Sequence, residues 1–155
     1  MSSVMRVPWE NRLSKIVKDP GGVRVVDALE QASKNLESIR GDCIAAVDEH
    51  LSEIARIHRE GGDHPTAEQK TQIYQLGNDI YGMAGLFGLN QLGEAAFSLC
   101  ELADRMRAAE KWSGPAIEVH LAALRLFRTP APGPEGAAVL QGLHKVTDRT
   151  PKTAA

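Results

Sequence analysis

The sequence is poor in aromatic residues, in cysteine and in long apolar runs. Two Trp, two Tyr and three Phe are its only aromatic residues among 155. An all-β sandwich or barrel is therefore disfavoured, because such folds are rich in aromatic and β-branched residues. No run approaches the roughly 18 apolar residues of a membrane helix, and residues 1–9 lack the apolar core of a signal peptide. We therefore expect a cytoplasmic protein with no membrane insertion.

The two cysteines exclude a disulfide scaffold. Cys43 and Cys100 lie far apart, each within an apolar helical pattern. We interpret them as reduced core thiols, because disulfides are rare in the cytoplasm. No Cys-x-x-Cys or His/Cys spacing suited to zinc occurs, so we expect no metal and no cofactor.

The chain also lacks a strong net charge. Its 18 Lys and Arg against 20 Asp and Glu give a net charge of −2. Residues 24–128 carry −5, from 11 basic and 16 acidic residues, and no long run of like charge occurs. Because nucleic-acid-binding domains carry basic patches, we expect no nucleic-acid partner.

Alanine and leucine, in contrast, are abundant, with 20 and 15 copies. They are the best apolar helix formers, which favours an all-α fold. Apolar residues at steps of three and four from Leu29 to Ile57 predict one long N-terminal helix that ends at Gly61-Gly62. That helix would span about 50 Å, and Gly41-Asp42 is the point at which it could bend.

Three shorter helices are predicted after the long one. Each begins at a recognisable start signal, such as the capping-box sequence Thr66-Ala67-Glu68-Gln69. The predicted bounds are Thr66 to about Leu86, Asn90 as a cap to near Trp112, and Ser113-Gly114-Pro115 to Phe127. Because the connections are short, neighbouring helices should be antiparallel, which predicts an up-down four-helix bundle.

The predicted domain organisation has three parts. Residues 1–23 form an N-terminal arm that ends at Asp19-Pro20-Gly21-Gly22, and residues 24–128 form the bundle. Residues 129–155 begin with a Pro/Gly-rich linker and continue as a tail with a short helix near 137–146. We expect both termini to be flexible.

The second predicted helix contains an unusual number of glycines. Gly77, Gly82 and Gly85 lie inside it, and each interior Gly costs about 1 kcal/mol relative to Ala. A helical wheel places Gly77 beside the buried face, where tight helix packing would explain it. It places Gly82 and Gly85 on the opposite face, where the alternatives are neutral drift and the close approach of a partner, which we favour. We call this predicted partner-binding surface the glycine face; it consists of Gln75, Asn78, Tyr81, Gly82 and Gly85.

The segment 78–88 resembles the central motif of histidine-containing phosphotransfer (Hpt) domains, which reads roughly H-x-L-K-G-x-A-G-x-x-G. The matching residues are Ile80, Gly82, Ala84, Gly85 and Gly88. The resemblance covers about residues 27–128 and implies a four-helix bundle in two-component signalling. It also implies a partner, which would be a response-regulator receiver domain or a histidine kinase.

The resemblance breaks at the residue that carries the family's chemistry. Asn78 stands where the family has its phosphorylated His, and Tyr81 stands where Lys is common. A carboxamide nitrogen is not nucleophilic, so Asn78 cannot accept phosphate as an imidazole does. We therefore predict a non-catalytic module that keeps the docking surface. The long helix with Asn35-Leu36-Glu37-Ser38-Ile39-Arg40 further resembles small bacterial chemotaxis-cluster proteins of the CheE type.

Two alternatives stay open. The protein could still relay phosphate through another histidine, His58 or His120, although none of the five (His50, His58, His64, His120 and His144) is followed by the glycine pattern. We interpret all five as surface or boundary residues. Alternatively, the long first helix could form a homodimer through its heptad-like stripe, which would make the protein a scaffold.

Overall fold

The computed structural model describes residues 24–129 and 134–150, and within these residues it contains helices and no strand. We number the helices α1 Val25–Gly61, α2 Ala67–Leu86, α3 Asn90–Ala108, α4 Gly114–Phe127 and α5 Pro134–Asp148. The all-α prediction is confirmed. The predicted arm, residues 1–23, lies outside the described residues, and the domain boundaries stay predictions.

Helix α1 is continuous, as its apolar periodicity predicts, and passes through Gly41 without a break. Two compact units meet within it, one ending at Ile39 and the other beginning at Arg40. In the described part of the first unit, the apolar side chains of α1 are exposed, with Leu29 62% and Leu36 61% accessible. In the second unit, α1 contributes buried core residues, which are Cys43, Val47, Leu51, Ile54 and Ile57.

Both ends of α2 follow their sequence signals. The backbone N–H of Gln69 donates to Thr66 Oγ1 at 3.1 Å, and the backbone N–H of Thr66 donates to Gln69 Oε1 at 2.9 Å. Both hydrogen bonds of the capping box are therefore present, which confirms the prediction. At the other end Gly88 has a φ of +66°, a left-handed conformation that glycine adopts at little cost. The Leu89 amide then donates to the Ala84 carbonyl at 3.0 Å, which closes the helix in a Schellman motif.

The starts of α3 and α4 differ from the sequence prediction. Asn90 is the first helical residue of α3, not its cap; Leu89 holds that position, with no side-chain cap hydrogen bond. At α4 the Ser113 side chain also makes no cap. Instead the Gly114 amide donates to Asp63 Oδ1 at 2.8 Å, so a side chain from the α1–α2 loop caps α4.

The core of the second unit is built from all five helices. Helix α3 packs against α2, α4 and α5, and α5 also packs against α4. Helix α5 is the short helix expected near 137–146, and it is longer than predicted. It packs against α3 and α4 and buries Leu140 and Leu143. A set of aliphatic side chains and one aromatic ring is almost fully buried there, including Ile54, Ile80, Leu92, Leu99, Ile117, Leu124 and Phe127.

Gly77 packs tightly, as the helical wheel predicts. A Cβ added there would lie 3.1 Å from Cys100 Sγ and 3.5 Å from Leu99 Cδ2. Leu99 is completely buried, and Cys100 Sγ also contacts the Tyr74 carbonyl at 3.6 Å, so a new Cβ at Gly77 would press on a packed leucine and disturb this thiol contact. Gly77 thus allows α2 and α3 to approach each other closely.

Gly77→Ala should therefore lower the free energy of unfolding, whereas Gly82→Ala should raise it. At Gly77 an overpacking cost of about 1–3 kcal/mol exceeds the helix-propensity gain of about 1 kcal/mol. At Gly82 no described atom lies within 4 Å of the new Cβ, so only the gain remains. Urea denaturation followed by circular dichroism measures both. A similar increase for the two variants would contradict the tight contact at Gly77.

Candidate functional site

All five residues of the glycine face are exposed on one side of α2. A Cβ added at Gly82 or Gly85 would meet no described atom within 4 Å, so both glycines border open space. Tyr81 is 48% exposed at the edge of this surface. The structure thus gathers the predicted residues on one face, and the packing of the described helices does not explain its two glycines.

A groove of about 570 Å³ runs along the edge of the glycine face. Tyr81 of α2 and Phe97 of α3 are in contact in it, with ring centroids 5.9 Å apart. Gly93 of α3 lies at the floor of this groove, where an added Cβ would be 3.6 Å from Ala84 Cβ, an ordinary packing distance. We call this the aromatic groove; it is lined by Tyr81, Gly82, Ala84, Gly85, Leu89, Asn90, Gly93, Glu94, Phe97 and His144.

The sequence prediction missed three groups of this groove, Phe97, Gly93 and His144. Phe97 is 54% exposed and lies off the apolar stripe of α3. Its position, an aromatic residue on the polar side of a predicted helix, could have indicated a binding surface. Gly93 was a further glycine inside a predicted helix, but it packs less tightly than Gly77, because an added Cβ would lie 3.6 Å from Ala84 Cβ. His144 belongs to α5, whose docking position no local signal reveals.

His120 is buried and not at the boundary, so that expectation is wrong. Its Nδ1 lies 2.8 Å from the Ala116 carbonyl and must donate to it, because a carbonyl only accepts. In the neutral ring Nε2 is then an acceptor, 3.0 Å from Ser98 Oγ and 3.4 Å from Thr147 Oγ1. Burial lowers the pKa of His120, which favours this neutral form.

The other four histidines match their predicted surface or boundary positions. His64 and His144 are exposed, and His50 and His58 are half-buried. His50 Nε2 lies 3.9 Å from Asp79 Oδ2, next to the glycine face. His58 Nδ1 is buried without a hydrogen-bond partner among the described residues.

Arg105 of α3 holds the end of α5. Its Nη1 donates to the Thr147 carbonyl at 2.8 Å and lies 3.2 Å from an Asp148 carboxylate oxygen, and its Nη2 donates to Glu101 at 2.6 Å. The Arg105 side chain is only 9% exposed. These charge-assisted hydrogen bonds therefore fix the C-terminal end of α5 against α3.

Cys43 and Cys100 are free and buried, as predicted. Burial, assisted by the nearby Asp104 charge, raises the pKa of Cys100 to about 11, so its reactive thiolate is scarce at neutral pH. Within residues 24–129 and 134–150, no group of three or more His, Cys, Asp or Glu side chains is placed to hold a metal ion. No helix in the described part of the chain is long and apolar enough to cross a membrane.

The sequence matches no known protein-family model and no curated protein. The Hpt resemblance therefore rests on the residues of segment 78–88 and stays a prediction.

Proposed function

We propose that this chain is a non-catalytic Hpt-like module that binds response-regulator receiver domains in bacterial two-component or chemotaxis signalling. In this proposal α1 to α4 form the up-down four-helix bundle of the Hpt type, and α5 is an addition to it. The observation that supports the proposal best is the openness of the glycine face at Gly82 and Gly85.

Two open glycines inside a helix need an offsetting role. Each costs about 1 kcal/mol relative to Ala, and neither relieves a contact within the described residues. They leave a flat surface on which a partner's backbone or bulky side chain can approach closely. Tyr81 adds aromatic area with a hydroxyl group, and Asn78 adds both a donor and an acceptor, which suits a protein partner.

Asn78 and His120 favour docking without phosphate transfer. Asn78 is exposed where the resemblance implies the phosphorylated imidazole. His120, an alternative acceptor, is buried with both ring nitrogens in hydrogen-bonding contacts. The proposed mechanism is therefore competition, in which the module occupies a receiver's docking face and delivers no phosphate.

Sedimentation velocity with purified receiver domains of the host's response regulators tests this proposal. We expect a one-to-one complex with at least one receiver. We also expect no radiolabel on the chain after incubation with that receiver and labelled acetyl phosphate. An acid-labile label on the chain would contradict the proposal and favour phosphate relay.

A second candidate function, scaffolding by dimerisation, is favoured by the exposed stripe of α1. Val25, Leu29, Leu36 and Ile39 follow the four-three spacing of a coiled-coil seam, and each is more than half exposed. Sedimentation velocity of the chain alone at several concentrations, together with the runs that contain receivers, distinguishes the two functions. A concentration-dependent dimer that binds no receiver would support the scaffold and exclude the docking module.

A further inference from the structure

Helix α5 forms one wall of the aromatic groove without covering the glycine face. His144 lines the groove together with Tyr81, Gly82 and Gly85. A Cβ at either glycine would still meet no described atom within 4 Å, so α5 leaves this surface open. The position of α5 therefore determines the shape of the groove and does not block it.

A buried polar cluster fastens α5 to the two helices beneath it. Thr147 of α5 is 1% exposed, and its hydroxyl lies 3.1 Å from Ser98 Oγ of α3. Both hydroxyls face Nε2 of His120 in α4, which is completely buried. One titratable ring thus lies at the junction of α3, α4 and α5.

The surroundings of His120 suit a neutral ring and not a charged one. Its described contacts are two hydroxyls and a carbonyl, none of which carries a balancing negative charge. A buried charge without an ionic partner is costly, so protonation would destabilise the docked arrangement.

The charged groups on the neighbouring elements do not change this conclusion. From α3, Arg105 binds the Thr147 carbonyl and pairs with Glu101; from α5, Asp148 pairs with Arg105 and is 72% exposed. The electrostatic interaction with His144 of α5 also lowers the pKa of His120, so His144 opposes a positive charge on that ring. From α1, Asp48 pairs with Arg128, about two turns further along α4.

We propose that α5 is a releasable wall of the aromatic groove and that protonation of His120 releases it. When α5 leaves, Thr147 is withdrawn and water reaches the imidazole. The released form then binds a proton at close to the ordinary pKa of histidine, about 6.5. Because the docked form holds the pKa of His120 below that value, release takes up a proton and becomes more favourable as pH falls through about 6.5.

The consequence for binding rests on the proposed function. If a receiver docks on the glycine face and the adjoining groove, loss of the His144 wall removes part of its contact area. We therefore expect weaker receiver binding at low pH in the wild type, and a smaller change in His120→Gln, whose side chain stays neutral.

Amide hydrogen exchange by NMR on the full chain without any partner tests the release itself. Between about pH 7.5 and about pH 5.5, protection factors in α5 should fall by up to about tenfold more than those in α2, the limit for uptake of one proton at a pKa of about 6.5. The fall should begin as the pH drops below about 6.5, where the released form binds a proton. It should be lost in His120→Gln and kept in His144→Gln, the matched control for the neighbouring histidine.

Three results would overturn the proposal. One is equal loss of protection in α2 and α5, which would indicate global unfolding. Another is protection in α5 that stays constant relative to α2 between about pH 7.5 and about pH 5.5, a test that needs no variant. The third is loss of the pH dependence in His144→Gln, which would make His144 the trigger. Failure to bind any receiver would contradict the proposed function and leave the release of α5 standing.

Discussion

Gly82→Arg should abolish receiver binding while the helix content of the protein stays unchanged. The substitution is tolerated by the fold, since Gly82 is exposed and a Cβ there meets no described atom within 4 Å. Arginine also favours helix more than glycine does, so stability should rise by up to about 1 kcal/mol. At the centre of the glycine face, however, its long charged side chain would keep a partner's backbone away. We expect a loss on the order of 30-fold or more in affinity, about 2 kcal/mol.

Gly41→Arg is the matched control for this variant. Gly41 is also an exposed glycine inside a helix, with no described atom within 4 Å of a new Cβ, but it lies on α1 and is not one of the five residues of the glycine face. It adds the same charge and the same propensity gain. Isothermal titration calorimetry should find normal affinity for Gly41→Arg and, for Gly82→Arg, binding that is at least about 30-fold weaker or too weak to measure. Normal binding by Gly82→Arg would place the interface elsewhere.

The features that the sequence predicts well are those fixed by residues a few positions apart. The capping box at Thr66 and Gln69 depends on side chains three residues apart, and both of its hydrogen bonds form. The different roles of Gly77 and Gly82 follow from their five-residue separation on a helix, which places them on different faces. Helical periodicity likewise predicts the full length of α1, because its apolar spacing is unbroken from Leu29 to Ile57.

The features that it misses depend on contacts between distant residues. Asp63 caps α4 across 51 positions, and Ser98 reaches Thr147 across 49. No local pattern distinguishes such a partner from any other polar residue. The packing of α5 is a related case: the sequence predicts a short helix near 137–146, but no local pattern shows against which helices it packs, and the prolines before it indicate a linker. Pro134 is nevertheless the first residue of α5, a position that tolerates proline since its missing N–H would be unpaired there.

Arg105→Met should lower the free energy of unfolding by on the order of 3 kcal/mol. The variant removes the donor to the Thr147 carbonyl and to the Glu101 and Asp148 carboxylates. Hydrogen bonds that involve a charged group each contribute about 1.5–3 kcal/mol. Their sum is reduced because Asp148 is largely exposed and can be solvated by water. Methionine retains much of the apolar stem of arginine. The decrease in the free energy of unfolding therefore measures the hydrogen bonds of the guanidinium group and not the packing of the stem.

Arg107→Met is the control, since Arg107 is two residues away on the same helix. Its side chain is 44% exposed and pairs with Asp104 at 3.5 Å, the kind of surface pair that contributes at most about 1 kcal/mol. Urea denaturation gives the total change for each variant, and amide exchange shows where protection is lost. Because the described hydrogen bonds of Arg105 beyond its own helix reach residues 147–150 at the end of α5, protection should fall first in α5 and only later in α2 and α3. Equal effects of the two substitutions would mean that the buried guanidinium does not hold α5, which would leave Leu140, Leu143 and the Ser98–His120–Thr147 cluster to hold it.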